Sequence, residues 1–104
     1  MKDRQKIINE YKDKVLAVES FGNNDKIYCD EFSKEDDLLH YLYELNCHEI
    51  SLTEDGLNFI KDYYSLEKVA LMILDGIKKG VDYKYKTKDE IIKWLKLKGE
   101  IQAD

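Results

Sequence analysis

Ile50-Ser51-Leu52-Thr53-Glu54-Asp55-Gly56-Leu57-Asn58-Phe59-Ile60 holds the end of one kind of structure and the start of another. Residues 47–52 are a short candidate strand, and the Thr53 hydroxyl suits the N-cap of whatever follows. Leu57, Phe59, Ile60 and Tyr63 then recur at helical spacing. A strand that hands over to a capped helix within a few residues places the chain in the α+β class. The reading outward gives a mainly helical fold, four or five helices with two or three short strands in one layer against them.

Upstream, Ile7, Ile8, Tyr11, Val15 and Val18 make the apolar stripe of a helix running from Lys2 to about Glu19. The same residues allow another reading, in which Val15 to Phe21 is a strand that turns at Gly22-Asn23-Asn24-Asp25 into Lys26-Ile27-Tyr28-Cys29. The helix, followed by a loop and one strand, is the expectation. Ser33 and Asp36 approximate a capping box, with Glu35, Asp36 and Asp37 where a helix N-terminus favours carboxylates. That helix buries Leu38, Leu39, Leu42 and Leu45 and stops near Asn46.

Downstream, Ser65 caps a helix from Leu66 to about Lys79. Its Val69-Ala70-Leu71-Met72-Ile73-Leu74 run is apolar on every side and belongs at the centre of the fold. Gly80 suits a left-handed C-cap. Val81 to Lys86 alternates as a half-exposed strand. Thr87 with Glu90 opens a last helix that buries Ile91, Ile92, Leu95 and Trp94 and ends at Gly99.

One domain over residues 1–104 is the expectation for a chain of this length. The longest apolar run, Val69 to Leu74, is far short of the ~18 residues that a membrane span needs. No export signal opens the sequence, and Cys29 and Cys47 make no disulfide framework, so a cytoplasmic protein with reduced thiols is expected. No cofactor is implied, because five scattered glycines form no phosphate loop. Cys29, His40, Cys47 and His48 offer zinc-type ligands without the tight pair spacing that anchors a site. The same cysteines and histidines lack any sign of an activated thiolate, so no enzyme is expected.

Charge is divided along the chain. Residues 1–75 hold nine Lys/Arg against seventeen Asp/Glu, whereas residues 76–99 hold eight lysines against three acids. Opposite fields steer encounter and orient partners. The leading expectation is therefore a small protein that binds another protein, of the kind a phage or mobile element uses as an inhibitor, with an acidic face that imitates nucleic acid. The candidate partner-binding residues are Glu35, Asp36 and Asp37 on the acidic side and Lys78, Lys79, Lys84, Tyr85 and Lys86 on the basic side. Nucleic acid ranks behind a protein partner. Sixteen of the seventeen basic residues are lysines, which lack the planar fork that reads base edges. A homodimer through the Tyr-rich Val81 to Tyr85 edge is a third expectation.

Two stretches resemble known families. Ile50 to Ile60 resembles the junction that closes many winged-helix DNA-binding domains, where a leucine-threonine-acid-acid-glycine step leads from the last wing strand into a helix. The resemblance covers eleven residues and implies a transcription regulator of bacterial kind that holds duplex DNA in a salt-sensitive way, with the Lys78 to Lys96 cluster contributing. Lys26 to Phe32 resembles the end of an EF-hand loop. Ser20, Gly22 and Asn24 stand where that family places oxygen ligands and Asp25 stands at its glycine, so a plain loop is expected.

Overall fold

The computed structural model describes residues 3–20, 22 and 24–100 of the chain. The class is α+β and mainly helical, with six helices and one three-stranded antiparallel sheet among the described residues. The sixth helix, beyond the expected five, is a single turn at Cys29–Phe32.

Helix α1 spans Arg4–Tyr11 and is opened by Asp3, whose side chain accepts a bond from the Gln5 amide at 3.1 Å. It stops well short of Glu19. Strand β1 (Ala17–Glu19) follows and is the middle strand of the sheet, between β2 (Lys26–Ile27) and β3 (Ile50–Leu52). Ala17 stands opposite both Ile27 and Leu52. The stripe expected to continue the helix to residue 19 is thus a strand, as the second reading had it. Val15 and Val18 fit either structure, and the strand prevails because its main chain is paired on two sides, with β2 and with β3. Gly22 and Asn24 carry the reversal at φ +74° and +55°, while Phe21 and Asn23 of the expected strand and turn lie outside the described residues.

Helix α2 is the Cys29–Phe32 turn, and α3 spans Glu35–Asn46. Ser33 does not cap α3. With a link of only two residues, Ser33 still has helical angles, and its hydroxyl donates to the Asp30 carbonyl at 3.1 Å, so it closes α2. The α3 N-cap is Lys34, without a side-chain bond, and Glu35, Asp36 and Asp37 fill the first turn. His48, at φ +62°, turns the chain from α3 into β3, and the Glu49 amide bonds back to the Glu44 carbonyl at 2.8 Å.

Helix α4 (Glu54–Tyr63) starts against the main chain before β1. Thr53 Oγ1 accepts from the Gly56 amide at 2.9 Å and lies 2.7 Å from the Val15 carbonyl, to which the hydroxyl donates. A Cβ at Gly56 would overlap the Leu16 carbonyl oxygen, so the glycine permits the close approach. The leucine-threonine-acid-acid-glycine step thus has a packing role of its own.

Helix α5 (Leu66–Lys78) is capped by Ser65, whose Oγ accepts from the Lys68 amide at 3.1 Å. The expectation that it lies at the centre is corrected. Val69, Ala70 and Ile73 are buried, but Leu71 is 54% exposed, because α4 and α6 cover only one side of the helix. The buried side of α5 joins Leu16, Phe32, Leu42, Phe59, Ile60 and Leu95 in one core, all essentially inaccessible.

Gly80, at φ +101°, ends α5, with the Val81 amide bonded to the Gly76 carbonyl at 3.0 Å. The expected strand over Val81 to Lys86 is absent. Asn46 takes the place of a partner strand there: its Nδ2 donates to the Asp82 carbonyl at 3.3 Å and its Oδ1 accepts from the Lys84 amide at 2.9 Å. Helix α6 (Lys88–Glu100) opens with the Thr87 and Glu90 box, the Glu90 amide donating to Thr87 Oγ1 at 3.3 Å. Ile91, Trp94 and Leu95 are buried and Ile92 half-buried. Gly99 does not end this helix. It lies inside it, buried, where a Cβ would overlap Leu57 of α4. No helix among the described residues is long and apolar enough to cross a membrane.

Candidate functional site

The first turn of α3 and the segment after α5 meet across a groove of about 590 Å³. Asp36, His40 and Tyr43 line it from α3, Met72 from α5, and Val81 and Asp82 from the following segment. The spacing of Asp36, His40 and Tyr43 puts them on one face of α3. That face is turned from the core because Leu38, Leu42 and Leu45 occupy the opposite one. Asn46 and Gly80 position the other wall by the bonds described above.

Two large apolar groups in this groove remain in water. Tyr43 is 39% exposed and Val81 is 40% exposed. Tyr43 stands edge-on to the buried Tyr83, with ring centroids 5.7 Å apart. The neighbouring Cys47 side chain shifts the Tyr43 hydroxyl above its usual range. Burial pushes Tyr83 up to about 12, so both hydroxyls are neutral donors at neutral pH.

The charged residues singled out in the sequence fall on both sides of this groove. Asp36 lines it, with Glu35 and Asp37 in the same helical turn. Lys78 and Lys79 end α5 beside Gly80, and Lys84 and Lys86 lie in the segment tied to Asn46. Several opposite charges are paired locally: Lys79 with Asp75 at 3.0 Å, Lys86 with Asp82 at 3.6 Å, and Lys88 with Glu67 at 3.4 Å. Lys68 of α5 reaches Glu35 at 3.8 Å. The lysine-rich tract is therefore partly neutralised within itself. Among the described residues no lysine stands at ion-pair distance from Asp36 or Asp37. Tyr85 is half-buried against Trp94, with centroids 6.2 Å apart, and is a packing residue first.

Sequence reasoning missed Tyr43, Met72 and Val81 as groove residues. Tyr43 sits five residues after the buried Leu38 and one after the buried Leu42, off the core face, and that phase was the available signal.

Candidate metal and catalytic residues are not brought together. Cys29 is buried with its Sγ 3.7 Å from the Ile8 carbonyl, and Cys47 is exposed. Burial pushes the Cys29 thiol up, the opposite of what a nucleophilic thiolate needs. Among the described residues no three His, Cys, Asp or Glu side chains converge on a possible metal position. In comparisons with family models, curated proteins and solved structures, nothing matches this chain.

Proposed function

We propose that the chain is a non-enzymatic protein-binding module that seats a basic, partly apolar segment of its partner in the α3–α5 groove. The observation that carries this reading is the pairing of exposed Tyr43 and Val81 with the carboxylates of Asp36 and Asp82 in one groove. Tyrosine anchors dominate many interfaces because they supply large contact area at small entropic cost, while carboxylates at the rim select and orient a cationic partner. A nucleic-acid-binding protein has such a cationic surface. An inhibitor of phage or mobile-element kind would present its carboxylates in place of phosphates.

The test is affinity capture from the native host with the partner identified by mass spectrometry. Replacing Glu35, Asp36 and Asp37 with lysine, or Tyr43 with serine, removes the captured protein. Neutralising Lys84 and Lys86 leaves it. Equal loss from both sets removes the reading, and a thermal melt of each variant establishes that it is folded.

A second reading, a DNA-binding regulator of winged-helix kind, is favoured by one observation: α2 and α3 are joined by two residues, and β3 folds back on β1 directly before the Leu52 to Gly56 step. Against it stand the three acids at the start of α3 and the packing of Tyr83 and Tyr85 onto Tyr43 and Trp94. A gel shift at low salt that shows no retention of duplex DNA ends this reading.

A further inference from the structure

We infer that the α3–α5 groove is anchored by one arginine side chain of the partner, whose guanidinium stacks on the Tyr43 ring and pairs with the Asp82 carboxylate. The inference rests on the groove reading above and names the residue that the groove selects. Tyr43 and Asp82 are held as a pair. Asn46 lies one turn after Tyr43 on α3 and ties down the main chain at Asp82 and Lys84, so one stretch of helix positions both the ring and the carboxylate. Cys47 first, and then the carboxylates of Asp82 and Glu49, raise the Tyr43 hydroxyl, so negative charge gathers at that end of the ring. The edge-on contact with buried Tyr83 fixes the ring before a partner arrives, while 39% of Tyr43 stays in water.

The fold supplies this ring with no cation of its own. Arg4 stands over Tyr63 at 4.6 Å, Lys14 over Tyr11 at 5.4 Å and Lys84 over Tyr85 at 5.8 Å, whereas among the described residues no cation lies over Tyr43. The pair that Asp82 makes with Lys86, at 3.6 Å and with both side chains mostly in water, is weak and gives way to a better one. A guanidinium provides it. It is planar, stacks on an aromatic face, holds a carboxylate through two N–H groups and gives up less hydration than an ammonium beside Met72 and Val81. A second copy of the chain is not its source, since Arg4 is the single arginine and already lies on Tyr63. Asp36 lies two turns before Tyr43, about 10 Å along the axis, so it faces a second basic residue of the partner and not the same one. Proteins that hold nucleic acid grip phosphates with arginine, which ties this anchor to an acidic decoy.

An NMR titration of the full chain, followed at the Tyr43 ring, tests this. The probes are three capped pentapeptides in which arginine, lysine or citrulline stands at the centre of otherwise identical serine and leucine residues. At millimolar peptide the arginine form is expected to bind about threefold to tenfold more tightly than the lysine form, and the neutral citrulline form to leave the ring unshifted. Tyr43→Leu and Asp82→Asn, each shown to be folded by a thermal melt, abolish the preference. Lys86→Ala strengthens arginine binding because it frees Asp82, a gain that a purely structural Asp82 would not give. Asp36→Asn leaves the ratio of the two cationic peptides unchanged. Equal binding of arginine and lysine, or a preference that survives Asp82→Asn, overturns the arginine anchor and leaves the groove reading standing. Absence of any shift overturns it as well, and the capture experiment on Tyr43→Ser then shows whether the groove reading falls with it.

Discussion

At Gly56, a hydrogen is all that fits between α4 and the Leu16 carbonyl. Gly56→Ala forces the helix and β1 apart and is expected to destabilise the fold by about 2 to 3 kcal/mol, read as a lower urea midpoint. Gly80→Ala meets open space but a φ of +101°, so its cost is backbone strain alone, about 1 kcal/mol. Tyr11 sets a pH dependence. Burial first, and then its bond to Asp62 at 3.1 Å, push the hydroxyl from the ordinary 10.0 up to about 12. Between those values the unfolded chain releases a proton that the folded chain keeps. The stabilisation is whole below pH 10 and is lost as pH rises through about 12. Tyr11→Phe is expected to make urea midpoints fall less steeply over that interval, and to cost about 1 kcal/mol at neutral pH for the lost hydrogen bond. At this scale the sequence shows what is local. The caps at Thr53, Ser65 and Thr87 and the left-handed Gly80 are legible because donor and acceptor lie within a few residues. The closeness of Gly56 to Leu16 and of Gly99 to Leu57 is not, since forty or so residues separate the members of each pair.

The elements were read with similar reach. Helices α3 to α6 follow from their spacing, and α4, α5 and α6 from their caps as well. The segment after α1 does not, because Val15 and Val18 fit a helical stripe and a strand equally well, and the choice is made by Ile27 and Leu52 on strands remote from it. The Val81 to Lys86 segment shows the converse error. Its alternation is real at buried Tyr83 and exposed Lys84, but among the described residues no strand is beside it, and Asn46 bonds to Asp82 and Lys84 instead. Asn46→Ala removes both, with an expected loss of about 1 to 2 kcal/mol and faster exchange at the Lys84 amide. Thr53→Ala removes a cap together with its link to the Val15 carbonyl, and a loss of about 1 to 2 kcal/mol is expected in the same assay.

Over the whole molecule, charge division along the chain became something less simple in space. Acidic α3 and the lysine-rich segment lie on opposite walls of one groove, and Lys79, Lys86 and Lys88 each have an acid close by. Composition showed that the charges differ in place along the chain but not which side chains would face each other across α3 and α5. Asp36 was legible as a candidate, whereas Val81 was hidden inside a tract that read as an ordinary strand edge. Binding at this groove is expected to weaken as ionic strength rises, because the carboxylates at its rim are in water and are screened within about 8 to 10 Å. A titration of the captured partner at rising salt checks it, and a salt-independent affinity would point to the apolar groups alone. The seating of Gly99 on Leu57 reaches further than packing. Ile91, Trp94 and Leu95 enter the core from the last of the nine described elements, so on the ribosome the earlier helices and the hairpin emerge before the piece that seals them. Nascent chains halted ahead of α6 would leave apolar side chains bare to chaperones and proteases.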